Sequence, residues 1–552
     1  MASRQSLRIL FLYLCVLIIY LVIIAQLVRI NYVTPVQQEL DKRSIRHKTI
    51  VRPRKSIVDR NGRLLAGNVI QHLVWIDPSQ LDDDLSTIEK ISNITILPVD
   101  KIQDKTQDKS RKYSILSDTV SLSEGDKYWI DSTAGIGYTD INKRHYPQGE
   151  ITSQLIGIAN RKQAGVEGLE LYYDDYLQET VESFKFDRMD KSNSLQLNQP
   201  LHDNQSDDLV LSLDLDLQLP VYQMAKLSAN KYGAESISIL VLDSKTGEVL
   251  VNVNYPSYDP NQPITAYTID HTNRIATNLY EPGSTIKPFA ISPYLEDNTI
   301  SPNSIIDIEN GQKLIDDVQI KDVGIPQQQL TVSDVIRRSS NVGVVNITNL
   351  DHSDRLYEFY EQMGFGQPTG IGFPGEKSGL LSYLKFNSNL SKAFLSLGYG
   401  IEITMLQLAQ SFMAVASGGF VVPLSYLKVT EPVPQKKVFS ENLSNSLMDM
   451  LVDVVNNGTG RQARVAGYTM AGKTGTSQHL NAGEYIDEYT TSFAGFGPVG
   501  YSKQFVSVVV VRAPKAPYQL ASKSAAPLFS EVMTHVIKHQ QLQDHSTGES
   551  DE

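Results

Sequence analysis

Hydrophobic and polar positions follow three regimes along this chain. Residues Ile9–Val28 read ILFLYLCVLIIYLVIIAQLV, 20 positions without a charge. At 1.5 Å of rise each, a helix of that length covers about 30 Å, one hydrocarbon core. A cleaved leader has a shorter apolar core followed by a small-x-small site, which Ala25-Gln26-Leu27 does not supply. The pattern therefore predicts an uncleaved membrane anchor over 9–30, preceded by a short tail (1–8). The next regime is irregular. Residues 31–67 are basic and Gln-rich, with a strand-like stretch at Ser56-Ile57-Val58, and 68–140 mix short apolar runs with polar ones. Residues 150–177 read as helical, and 184–208 (FKFDRMDKSNSLQLNQPLHDNQSDD) as a linker that closes the module 31–208. The third regime, 209–540, is regular. LVLSLDLDL alternates as a strand, and QLPVYQMAKLSANKY has helical spacing. SISILVLD and EVLVNVN, joined by Lys245-Thr246-Gly247, predict a hairpin, and 401–417 read as a helix. Residues 541–552 are acidic and expected to fray.

Composition narrows the classes. The 552 residues are 41% hydrophobic and 20% charged, which fits folded domains and excludes wholesale disorder. Net charge is −12, and no basic stripe with interleaved aromatics occurs, so nucleic acid is not an expected partner. Cys15 stands alone inside the apolar span, which excludes intrachain disulfides and cysteine-based zinc or iron–sulfur sites. None of the 10 histidines falls in HExxH spacing, and no metal site is expected. Glycines 364, 366, 370, 372 and 375 are not followed by GK[ST] at the spacing of a phosphate loop. Positive charges flank both ends of the apolar span, but long domains translocate largely regardless of charge. The expected orientation is a short cytoplasmic tail and a large extracytoplasmic domain.

The candidate chemistry begins at Ser284-Thr285-Ile286-Lys287. Residues three apart share a helix face, so a serine hydroxyl and a lysine amine can meet there. Pro282-Gly283 leads into a helix start, where free N–H groups favour negative charge on oxygen. A desolvated lysine loses proton affinity and becomes a base near neutrality. The spacing alone is weak: Ser228/Lys231, Ser382/Lys385 and Ser425/Lys428 repeat it. Two later elements select Ser284. Ser339-Ser340-Asn341 can relay a proton and hold a substrate carbonyl. Lys473-Thr474-Gly475-Thr476 can supply a cation, hydroxyls for a carboxylate, and a backbone N–H for an oxyanion hole. Ser440-Glu441-Asn442 imitates the second element but opens a helical run and reads as an N-cap. Lys245-Thr246-Gly247 imitates the third but reads as a turn.

The ordered set resembles the penicillin-binding proteins and class A β-lactamases. It is most similar to class B penicillin-binding proteins, the monofunctional peptidoglycan D,D-transpeptidases, and within them to the septal, cell-division type. The likeness extends over nearly the whole chain. RKSIVDRNGRLLA (54–66), RHYPQG (144–149) and GVEGLELYYD (165–174) carry it in the N-terminal module. NYPSYDPN (254–261), NRIATNLYEPGSTIKPF (273–289), SSNVGVV (339–345), GFGQPTGIGFPGE (364–376), GYGIEITMLQLAQ (398–410) and AGKTGTSQ (471–478) carry it further on. One departure is Lys55, where the family usually has glycine.

The resemblance implies an α+β protein: a transmembrane helix, an elongated non-catalytic pedestal (dimerisation-like) module, and a transpeptidase domain with a five-stranded antiparallel sheet between helices and a helical lobe. It implies acylation of Ser284 by a stem peptide ending in D-Ala-D-Ala, then transfer to an acceptor amine. Lys287 would take the Ser284 proton and Ser339 would pass a proton to the departing amine. Asn341 would orient Lys287 and the substrate amide, and Lys473 would set the local electrostatics. Thr474 and Thr476 would bind the substrate carboxylate, with the Thr476 N–H completing the oxyanion hole and Gly475 lying between them. It implies no metal or organic cofactor, and β-lactams as covalent inhibitors. Expected partners are a SEDS-type glycan polymerase and other divisome membrane proteins, at the septum of the inner membrane. The alternatives are an elongation-type class B transpeptidase, or a D,D-carboxypeptidase, β-lactamase or other non-cross-linking penicillin binder.

Overall fold

A computed structural model describes residues 2–29, 45–178, 180–187, 208–262, 271–324, 327–350, 354–381, 389–481 and 484–540. The chain divides into two compact units, Met1–Arg54 with Glu179–Asp207, and Lys55–Gln178 with Asp208–Glu552. The first holds the helix Ala2–Val28 and an antiparallel pair, Ile45–Arg52 with Thr180–Asp187. Within that helix, Ile9–Val28 is long and apolar enough to cross a membrane, and none of that span is buried among the described residues. The pair takes in residues 184–187 of the expected linker; most of the remainder of that linker and the acidic tail 541–552 lie outside the described residues. Residues 55–178 belong to the same compact unit as the later regime.

In the second unit, strands Ser114–Val120, Leu64–Ile76, Ile57–Val58 and Leu209–Val210 form one sheet in that order, with Ile136–His145 also paired to Leu64–Ile76. Only Leu209–Val210 of the alternating LVLSLDLDL is strand. Asp214 instead caps a helix, Leu215–Tyr232, by accepting from Asp216 N–H. A capping aspartate and a period of 3.6 overrode a short period of two. Of the helical reading of 150–177, the structure keeps short segments: Ser153–Ile156, Gly168–Tyr172 and Asp174–Leu177. Lys55 has no positive φ. Its N–H donates to Leu177 O at 2.9 Å and its ammonium lies 3.9 Å from the Tyr176 ring centre. The glycine usual in the family is not needed for this backbone.

The catalytic half is built on an antiparallel sheet of five strands, Ala471–Asn481, Glu484–Gly497, Phe505–Arg512, Ser236–Asp243 and Val249–Tyr255 in that order. Its inner strands are buried on both faces, which is why they read as near-continuous apolar runs. Ile237, Ile239 and Val241 pack with helices Leu215–Tyr232 and Ala525–His539. The alternate residues Leu240 and Leu242 pack with Leu406 and Phe412 of the helix Met405–Ala416. That helix is apolar on nearly all sides and opens with a Thr404/Gln407 capping box, as a helix enclosed in a core requires. Helices Lys287–Glu296, Val332–Arg338, Asn341–Thr348 and Glu441–Asn457 form the lobe that faces the edge strand Ala471–Asn481.

Candidate active site

The site lies where the edge strand, the start of the helix Lys287–Glu296 and the turn between two lobe helices converge. Ser284 sits in a 3-10 turn, Gly283–Ile286, and Lys287 begins the α-helix that follows. Pro282 O accepts from Thr285 Oγ1 at 2.8 Å, and Gly283 N–H donates to Gly398 O at 3.2 Å. This turn is pressed against the KTGT strand. A Cβ on Gly475 would stand 2.8 Å from Pro282 O and 2.4 Å from Ser492 Oγ, so only glycine lets the strand and the turn approach this closely. Thr474 and Thr476 flank it. Thr474 Oγ1 lies 3.0 Å from Thr459 Oγ1, and Thr476 Oγ1 accepts from Ala521 N–H at 3.3 Å.

Ser339 ends the helix Val332–Arg338 in the left-handed region, at φ 63°. A non-glycine residue there is strained, and such strain concentrates at functional sites. It sets Ser339 Oγ between two lysines: Lys473 Nζ donates at 2.9 Å and Lys287 Nζ at 3.3 Å. Lys287 Nζ also donates to Ser339 O at 2.7 Å and Asn341 Oδ1 at 2.6 Å. The Asn341 amide is oriented by its other end, since Nδ2 donates to Lys321 O at 2.6 Å. As an ammonium Lys287 donates to all three oxygens; once neutral it keeps two hydrogens for the carbonyl oxygens, and its lone pair can take a proton. No hydrogen bond joins it to Ser284 Oγ here; such contacts often tighten only with substrate.

Both lysines are fully buried. Burial pulls Lys287 down to about 7, with the Asp322 carboxylate opposing the shift. Burial also lowers Lys473 well below its ordinary value, and the Lys287 charge lowers it further. Two buried ammonium groups on one oxygen disfavour each other, and the Asp322 carboxylate offsets this in part at Lys287.

Asp322 was not singled out by the sequence. It lies just beyond the strand Val318–Lys321 and accepts from Ser340 Oγ (2.6 Å), Asn341 N–H (2.5 Å) and Val342 N–H (3.0 Å). It thus caps the helix that carries Asn341. Nothing in VQIKDVGIP marks it, because its partners lie some 20 residues away and only the tertiary fold joins them. The imitations fall elsewhere. Ser440 caps Glu441–Asn457 by accepting from Leu443 N–H. Lys245 lies in the turn between Ser236–Asp243 and Val249–Tyr255. Ser228 and Lys231 lie on Leu215–Tyr232, and Ser425 Oγ is bonded to Leu427 O. Ser382 and Lys385 lie outside the described residues.

Comparison with known proteins gives the same answer from two sides. Residues 237–534 match the penicillin binding protein transpeptidase domain, and 49–206 the penicillin-binding protein dimerisation domain. The chain is 33% identical over 512 residues to the peptidoglycan D,D-transpeptidase FtsI of Buchnera aphidicola subsp. Schizaphis graminum, covering 91% of this chain and 89% of that one. It is 31% identical to the FtsI of Escherichia coli K12, covering 98% and 93%. Among solved structures, penicillin binding protein 3 from Mycobacterium tuberculosis complexed with aztreonam is 25% identical, with a TM-score of 0.68 over 90% of this chain and 98% of that one. The apolar helix and this kinship make it a single-pass membrane protein with a periplasmic catalytic domain. A sheet-edge KTGT strand, a serine turn and an SxN turn on one lysine pair, together with these matches, show that the chain belongs to the class B penicillin-binding proteins, the membrane-anchored peptidoglycan D,D-transpeptidases.

Proposed function

We propose that Ser284 is the nucleophile of a D,D-transpeptidase that cross-links stem peptides of the septal cell wall. Ser284 Oγ bonds to the carbonyl carbon of the penultimate D-Ala, and the C–N bond to the terminal D-Ala breaks. Lys287 takes the Ser284 proton, and Ser339 returns a proton to the departing amine. Asn341 orients Lys287 and the substrate amide. Lys473 sets the charge around Ser339, while Thr474 and Thr476 receive the carboxylate and the Thr476 N–H joins the oxyanion hole. The observation that carries this reading is the bond set of Lys287 to Asn341 and Ser339, closed by Lys473 on Ser339 Oγ. β-Lactams acylate the same serine.

The test is labelling of the full-length chain in detergent with a fluorescent penicillin, beside Ser284→Ala. Label lost only in the variant, and lost slowly from the wild type, supports transpeptidase over β-lactamase chemistry. A folded wild type that takes no label refutes the assignment. We further propose the organisation 1–8 tail, 9–30 anchor, 31–208 pedestal, 209–540 transpeptidase domain and 541–552 tail. In it the anchor and pedestal meet a SEDS-type glycan polymerase and other divisome proteins at the septum. A fluorescent fusion spread along the lateral wall argues for an elongation role instead.

A further inference from the structure

Next to the Thr474 end of the site lies an open cavity of about 500 Å³. Ser340 and Asp322, which hold the first turn of the Asn341 helix, line it together with Thr459, Arg338 and Arg461. Thr459 lies between the cavity and the KTGT strand, its hydroxyl 3.0 Å from that of Thr474. The charges of this cavity are unequal. The Asp322 carboxylate is committed to two N–H groups and a hydroxyl, and Arg337 is paired with Asp334 and Asp453. Arg338 and Arg461 are exposed and have no carboxylate partner among the described residues. Arg461 Nε donates to Gly458 O at 3.3 Å. Two guanidinium groups therefore face a space that adjoins the carboxylate-binding threonines.

This inference rests on the transpeptidase reading. In acyl transfer the acceptor amine must enter where the leaving amine departed, because the two steps are the same displacement run in opposite senses. The leaving D-Ala carries its carboxylate to Thr474 and Thr476. What lies beyond that end is of no use to the donor, whose chain stops there. It is where the remainder of an acceptor has to fit. We propose that the cavity lined by Arg338, Arg461 and Thr459 is the acceptor subsite, and that Arg338 and Arg461 select an acceptor peptide bearing a carboxylate beyond its reacting amine. In the step served, the acceptor nitrogen forms the new C–N bond, the bond from that carbon to Ser284 Oγ breaks, and the amine proton returns to Ser284 Oγ.

The experiment uses the full-length chain in detergent and a thioester analogue of the donor, which acylates Ser284 without needing a poor leaving group. Two acceptors are compared, identical amino peptides ending in a free carboxylate or in a carboxamide. The ratio of aminolysis to hydrolysis is measured for wild type and for Arg338→Gln/Arg461→Gln. The wild type should prefer the carboxylate acceptor, and the double variant should lose about tenfold of that preference, as two charge-assisted hydrogen bonds at a partly exposed site allow. Acylation by the thioester and by penicillin should stay within about twofold of wild type, since neither reagent extends past the threonines. Equal losses for both acceptors, or no wild-type preference, overturn the subsite. A variant that slows donor acylation instead assigns the cavity to the donor and also overturns it. A wild type that forms no acyl-enzyme at all counts against Ser284 as nucleophile, which is a separate failure.

Discussion

Asp322 offers the sharpest test of how this site is held. Its carboxylate accepts three hydrogen bonds that fix the first turn of Asn341–Thr348, and Asn341 in turn holds Lys287. Bonds to a charged group are worth about 1.5–3 kcal/mol each when buried, but Asp322 is half-exposed and water replaces part of each bond. For Asp322→Ala we expect a net loss of about 2–4 kcal/mol, read as a lower Tm. Two kinetic effects should accompany it, with separate signatures. Slackening Asn341 and Ser339 by about 1 Å should lower the plateau of penicillin acylation by about 100-fold. Removing the carboxylate that raises the Lys287 pKa should also move the acidic limb of the pH–rate profile below its wild-type midpoint. Asp322→Asn keeps one acceptor and the packing, and should show the same midpoint shift with a smaller plateau loss. The assay is stopped-flow acylation from about pH 5 to 9, where a base near neutrality titrates. A folded Asp322→Ala that acylates at the wild-type rate with an unmoved midpoint would refute the reasoning.

Wild-type acylation should rise with pH through an inflection at about 7, as Lys287 loses its proton; a flat profile from acid to neutral pH contradicts a lysine base. The same shift has a stability sign. The native lysine releases its proton below the unfolded value, so between about 7 and the ordinary lysine range the unfolded chain binds more protons and stability rises with pH. Thermal melts of Lys287→Met should lack that part of the rise. Gly475→Ala would set a methyl 2.4 Å from Ser492 Oγ and 2.8 Å from Pro282 O. It should cost about 1–3 kcal/mol and slow acylation by parting strand and turn, so a variant labelled at the wild-type rate contradicts the close approach. In the N-terminal part of the same unit, Arg144 Nε meets Glu170 Oε1 at 2.6 Å with both side chains buried. Arg144→Met leaves that carboxylate without this charge and should destabilise by about 3–5 kcal/mol, measured by denaturant unfolding.

Much of this protein was legible in its sequence because the relevant signals are local. An uncharged apolar run long enough to cross a membrane needs no tertiary context to be read. The hairpin of Ser236–Asp243 and Val249–Tyr255 and the cap at Ser440 are set by short-range rules. The three candidate motifs were legible for another reason: together and in order they resemble the penicillin-binding proteins, and that ordered set is rarer than any one motif. Where two local signals competed, the sequence misled. Leu213 to Leu217 alternate as a strand would, yet Asp214 caps a helix that buries Leu217, Val221 and Ala225 against the sheet. The longer apolar stripe buries more surface and wins.

What the tertiary structure alone decided is the relation between the motifs. Ser284, Ser339 and Lys473 are far apart in sequence, and no spacing rule states that Lys287 and Lys473 share one serine oxygen. That arrangement requires the left-handed backbone at Ser339, the missing Cβ at Gly475 and the carboxylate of Asp322, each of which acts on a neighbour distant along the chain. The depressed lysines follow from the same packing, because burial is a property of the folded core and not of any short segment. Residue type and order marked the candidate groups. Long-range packing fixed their distances, their charge and the arginine-lined space beside them.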